Sequence, residues 1–169
     1  VRFADPFYIG DPINTVSIFN EKEVDEIVIM DINASAQERE PDFEHVKDIV
    51  DEAFMPVCYG GGVRSLEQME RLFSIGIEKV SVSSAAVLDR NLIPEAAKRF
   101  GSQAIVATID VKKALLRKSK TVHIHNGRKS TGLQALEFAK ELEMSGAGEL
   151  VVNDIDRDGT MSGYDLAFL

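Results

Sequence analysis

Tryptophan is absent from the 169 residues and cysteine occurs once, at Cys58. A single thiol cannot close an internal disulfide, so a disulfide-stapled framework is excluded and the usage fits a reducing cytoplasm. Positive charge is scarce as well: 19 Lys and Arg against 28 Asp and Glu leave a formal net charge of −9. A surface of that sign repels phosphate backbones and anionic lipids, which argues against nucleic-acid and membrane-surface roles. No apolar run is long enough to span a bilayer, and no charged-then-apolar leader opens the sequence. The three histidines, His45, His123 and His125, lack metal-ligand spacing and receive no role. Against these absences stands a hydrophobic share of 44%, ample for a core in a stretch the size of one domain.

That apolar content is distributed in a regular way. Short runs rich in Val and Ile fall at 26–32 (EIVIMDI), 55–59 (MPVCY), 79–82 (KVSV), 104–109 (AIVATI) and 149–152 (ELVV). Segments of helical periodicity separate them, at 14–22, 42–53, 66–75, 92–100 and 132–144. Alternation of this kind predicts βαβ units and a parallel sheet. The stretch 112–128 breaks the pattern: it alternates weakly and carries a turn signal at Asn126-Gly127, so an extra hairpin is expected after the fourth run. Residues 1–11 read as a loop entering the first helix near Pro12, and 158–169 as a loop with the first turn of a further element. A closed parallel barrel has eight strands and five are visible, so the expectation is one partial barrel domain over 1–169.

The strings EIVIMDINAS and ELVVNDIDRD share an acidic start, an apolar run, Asp-Ile and a polar loop. A duplicated half-barrel would produce that echo. Buried strands draw on few residue types and can look alike by chance, but the matching Glu and Asp are not strand-core residues.

Chemistry-bearing residues gather where the strand runs end. Gly60, Gly61 and Gly62 follow the second run, and glycines there let backbone N–H groups close on an anion. Ser81 lies in the third run, and Ser83 and Ser84 follow it beside two small alanines. The two loops together form a candidate phosphate pocket; the alternative is a tight turn with capping serines. Asp110 ends the fourth run, where a carboxylate can move a proton between substrate atoms, especially if partial burial lifts its pKa. Asp31 ends its own run, and Asp154, Asp156 and Asp158 share the loop NDIDRDGT. Each of these acids serves equally well as a turn or capping residue, whereas together they suggest a ring around one mouth. A divalent metal is the rival use of such a ring, but calcium-loop spacing ending in glutamate is absent. Glu26, Lys79 and Glu149 begin three strand runs, at the opposite end, and read as a salt-bridge network sealing or gating the barrel floor.

The strings YGGGVRS, EKVSVSSAAV, RFGSQAIVATID, STGLQALEFAKELEMSGAGEL and DIDRDGTMSGYDL resemble, in order and spacing, the cyclase subunit of imidazole glycerol phosphate synthase. The resemblance implies an α/β fold of the (β/α)8 TIM-barrel type with two-fold duplication, incomplete here through a missing first strand and the last two βα units. It implies a lyase of histidine biosynthesis that needs no cofactor. Ammonia from a glutamine amidotransferase partner, in a heterodimer, would convert a phosphoribulosyl aminoimidazole carboxamide ribonucleotide to imidazole glycerol phosphate and an aminoimidazole ribonucleotide. Asp110 would be one of two opposed catalytic aspartates, the other belonging to the first strand. Gly61, Gly62, Ser83 and Ser84 would bind one phosphate, with Asp158 and Gly159 near the second. Glu26, Lys79 and Glu149 would form the ammonia gate, with Asp31 and Asn153 as further pocket residues. Ser83 and Asn153 depart from the family, which usually has asparagine and threonine there. The opening YIGDPINTVSIFNEKEVDEIVIMDI is more similar to paralogues that accompany surface-polysaccharide amidation genes, in which the same ammonia-handling pair serves a sugar-modifying enzyme. Two further readings are an inactive ammonia conduit and a barrel isomerase. The fragment by itself is expected to be poorly active.

Overall fold

The computed structural model describes residues 3, 8, 10–114 and 119–169. The expected entry loop at 1–11 and the first arm of the expected hairpin therefore lie partly outside the described residues.

Five strands run parallel: β1 (Ile27–Met30), β2 (Val57–Gly60), β3 (Lys79–Val82), β4 (Ile105–Lys113) and, beyond an intervening hairpin, β7 (Glu149–Asp154). β1 pairs with β2, β2 with β3 and β3 with β4, while β7 lies on the other side of β4. Helices connect them: α1 (Pro12–Glu21) precedes β1, and α2 (Phe43–Glu52), α3 (Leu66–Ser74), α4 (Ser84–Leu88), α5 (Leu92–Phe100) and α6 (Ala135–Met144) follow in turn. This is the strand–helix alternation of a TIM barrel, seen as an arc of its wall.

Local chemistry sets where each helix starts. Asp11 caps α1 by accepting from the amides of Ile13 and Asn14, with Pro12 opening the helix at the position proline tolerates. Asp42 and Ser65 cap α2 and α3 in the same way. The apolar stripe of α3 places Met69 and Leu72 at 0% exposure against Ile77, Val80 and Ile93 in one core cluster. Each such side chain contributes roughly 1.5–3 kcal/mol of burial. β2, β3 and the first seven residues of β4 are almost wholly buried, as parallel strands covered on both faces must be.

Two expectations need correction. β4 does not stop at Ile109 but continues to Lys113, because its last residues pair antiparallel with β5 (Lys120–Ile124), with Asp110 opposite His123. The second arm, β6 (Lys129–Gln134), occupies the start of the stretch expected to be helical from 132, so α6 begins only at Ala135. The hairpin is thus real and longer than its turn signal suggested. The short α4 carried no periodicity from which to expect it.

Candidate functional site

A cleft of about 390 Å3 opens at the C-terminal ends of the parallel strands. Asp31 after β1, Gly60 at the end of β2 with Gly61 and Gly62 beyond it, Ser83 and Ser84 after β3, Thr108 and Asp110 on β4 and Asn153 on β7 all line it. Asp158 reaches it from the loop after β7, and His125 and Asn126 from the tip of the hairpin. The residues expected at one rim are therefore largely brought together, since consecutive strands run the same way.

Asp110 lies within β4 rather than at its end, at 8% exposure on the cleft-facing side of the strand. Asn153, its register partner on β7, donates from Nδ2 to Asp110 Oδ1 at 3.1 Å. Burial pushes the carboxyl above the ordinary aspartate value, while the Asn153 hydrogen bond and the nearby His123 pull it back. That environment suits a group asked to hold and release a proton. Below it, Ser81 Oγ and Thr108 Oγ1 share a buried hydrogen bond of 2.6 Å.

Asp31 is occupied differently. One oxygen accepts from the amides of Asn33 and Ala34 at 3.1 Å each, and the other takes Arg39 at 2.6 Å. It holds its own loop in shape at the cleft lip. Gly61 packs against that loop so closely that an added Cβ would fall 2.5 Å from the Asp31 carbonyl oxygen, and one on Gly62 2.6 Å from that of Arg39. Close approach of two backbones thus accounts for both glycines even before any anion is considered. Ser84 Oγ accepts from the amide of His125 at 3.0 Å, which pins the hairpin to the loop after β3.

The ring of acids is smaller than expected. Asp154 sits opposite Val111, which faces the core, one residue from the cleft-facing Asn153–Asp110 pair, and the period of two turns its side chain to the other side. There it pairs with Lys120, which also holds Asp165 at 2.8 Å. Asp156 accepts from the amide of Lys113 at 2.9 Å and does not line the cleft. Gly159 belongs to a neighbouring depression with Tyr164 and Phe168, which Asp158 borders from the other side. Among the described residues no group of three His, Cys, Asp or Glu stands close enough to hold a metal ion.

At the far end of the sheet, Lys79 Nζ lies 2.7 Å from Glu26 Oε2 and 2.6 Å from Glu149 Oε1. Hydrogen bonds from Lys79 to Glu149 and then Glu26 hold its ammonium well above the ordinary lysine range.

Among the cleft residues that were not anticipated are His125, Asn126, Arg39 and Arg64. Arg39 and Arg64 sit in the polar loops that follow β1 and β2, and that position is the signal that could have found them. The histidine and asparagine were hidden because a hairpin tip reads as solvent-facing.

A family model described as histidine biosynthesis protein matches residues 1–169. A Pseudomonas aeruginosa protein provisionally named imidazole glycerol phosphate synthase subunit hisF2 is 46% identical over 169 residues, all of this chain and 67% of its own length. A Leptospira borgpetersenii protein, provisionally named imidazole glycerol phosphate synthase subunit HisF, is 46% identical over all of this chain and 66% of its own length. Imidazole glycerol phosphate synthase subunit HisF of Helicobacter hepaticus is 46% identical over 160 residues, 95% of this chain and 63% of the relative. The chain spans about two thirds of the length of these curated relatives.

Proposed function

The chain belongs to the histidine biosynthesis protein family, with the imidazole glycerol phosphate synthase cyclase subunits, and from this premise we propose that its cleft carries out an ammonia-dependent, lyase-type cyclisation of a phosphorylated ribonucleotide. Residues 1–169 act as one domain, a part of a single barrel. Asp110 transfers a proton at the reacting centre, Asn153 holds its carboxyl in place, and the loops carrying Gly61, Gly62, Ser83 and Ser84 seat one phosphate, with Asp158 at the rim. Gly159, in the neighbouring depression that Asp158 also lines, stands with Asp158 near the second phosphate. Ammonia enters past Glu26, Lys79 and Glu149, supplied by a glutaminase partner in the cytoplasm. Among the described residues no helix is long and apolar enough to cross a membrane.

The observation that carries this reading is one carboxyl, buried and raised, in the floor of a cleft edged by glycine and serine loops. Asp110→Asn in the full-length protein should lower ammonia-dependent turnover by about 100-fold or more, the scale of a lost general acid or base. Near-normal turnover would remove Asp110 from the chemistry.

Ser83 and the opening of the chain favour a second reading, a paralogue passing ammonia toward sugar amidation, and the relative numbered hisF2 is in keeping with it. Titration with the bisphosphorylated ribonucleotide separates the two. A cyclase binds it, whereas a subunit serving another acceptor does not.

A further inference from the structure

The turn closing the hairpin spans His125 to Arg128, with the amide of Arg128 donating to the His125 carbonyl at 3.3 Å. Its two central residues, Asn126 at φ 58° and Gly127 at φ 76°, have the positive angles such a turn requires, and asparagine–glycine meets them at little cost. His125 also stands at φ 54°, which the turn does not require of it. A non-glycine residue in the left-handed region is uncommon, although histidine enters it more readily than most, and such an angle persists where the surroundings impose it. Here the surroundings are specific. The His125 amide is fixed to Ser84 Oγ, and residue 125 lines the same cleft as Ser83 and Ser84. Ser84 is 7% exposed, so its hydroxyl is a firm anchor rather than a surface contact.

We infer that His125 is a ligand-binding residue of this cleft, donating from its imidazole to a phosphate monoester seated against Ser83 and Ser84. The inference rests on the phosphate reading above and adds to it a group from outside the parallel strands. The hairpin then has a use: it carries a donor over a pocket whose serine side chains are too short to surround a phosphate. Because the left-handed angle suits glycine better than histidine, stability and binding should respond in opposite directions when the imidazole is removed.

Glycerol 3-phosphate titrated into the full-length protein, with glycerol as control, tests this. His125→Gly should keep or raise the urea midpoint while binding the probe roughly ten- to 150-fold more weakly, the loss of one hydrogen bond to a charged group. His125→Asn, which tolerates the angle and retains a donor, should fall between. Wild-type binding with unchanged affinity in His125→Gly overturns the role of His125 and leaves the phosphate reading standing. Joint loss of stability and affinity also overturns it, since the residue would then be merely structural. A wild type that ignores the probe at millimolar concentration overturns both.

Discussion

Replacing Gly61 by alanine separates two reasons for a glycine that usually act together. Gly61 has φ +118°, and an added Cβ would fall 2.5 Å from the Asp31 carbonyl oxygen, 2.7 Å from its Cβ and 2.9 Å from its amide nitrogen. None of these is the tip of a flexible side chain, so the loop after β1 must move. Gly132 in β6 serves as the control, with φ +75° and no atom within 4 Å of its added Cβ. Gly132→Ala therefore reports the angle alone, about 1 kcal/mol. Gly61→Ala carries that cost together with overpacking of about 1–3 kcal/mol, roughly 2–4 kcal/mol in all. In a protein of some 150–250 residues, 1 kcal/mol shifts Tm by about 2–4 °C, so Gly132→Ala should lose roughly 2–4 °C and Gly61→Ala roughly 4–16 °C. Thermal unfolding of the two full-length variants, with urea melts to convert midpoints to free energies, gives the comparison. Equal losses would mean that the two loops do not touch as described, and the packing account of the glycine run would fail.

Other outcomes follow from the buried and paired groups. Cys58 is fully buried, and burial pushes its thiol up to about 12, so iodoacetamide should label it only as fast as the fold opens; rapid labelling in native buffer would contradict its placement. For Asp110 the folded carboxyl titrates above its unfolded value, so ionisation penalises the native state at higher pH, and the penalty is relieved as pH falls through the folded pKa. Asp110→Asn should then be at least as stable as wild type near neutrality, with the gap closing on acidification; a gap that widens on acidification would reverse the sign argued here. Lys79 titrates above the ordinary lysine value, so its contribution is complete at neutral pH and disappears as pH rises through that raised value. Lys79→Met should cost more than Glu26→Gln or Glu149→Gln alone, with each pair coupled by no more than about 1 kcal/mol because all three side chains keep solvent contact. Additive single variants in a double-mutant cycle would show that the pairs are uncoupled.

The parallel strands were legible because burial on both faces forces near-continuous apolar runs, and 79–82 and the helix at 92–100 were read to the residue. The hairpin was legible only at its turn. Its second arm, KSTGLQ, has one strongly apolar residue in six, and it is held by pairing with β5 rather than by a buried face of its own. Such a strand depends on a neighbour, which no local pattern records. The same limit hid His125. Its bond to Ser84 spans 41 residues of sequence, while its immediate neighbours spell out an ordinary exposed turn.

The repeated strings at the two ends of the wall show how far a motif can be trusted. Glu26 and Glu149 stand at matching positions, and both reach the single ammonium of Lys79. Asp31 and Asp154 match equally well in sequence, yet Asp31 shapes the cleft lip with Arg39 while Asp154 turns away to Lys120. The difference comes from what each strand meets. Asp31 follows the last residue of β1 and bends into its own loop, whereas β7 continues through Asp154 because β4, lengthened by the hairpin, offers it a partner at Val111. One more paired residue is enough to reverse a side chain. Removing the added pairing should therefore matter more to Asp154 than to Asp31. Val111→Pro, which deletes the amide that β4 offers at that position, should loosen the Lys120–Asp154 pair and leave the Arg39–Asp31 pair intact, as side-chain NMR of the two cations would report. Equal loosening of both would mean that the two aspartates are held by the fold as a whole and not by their separate strand partners.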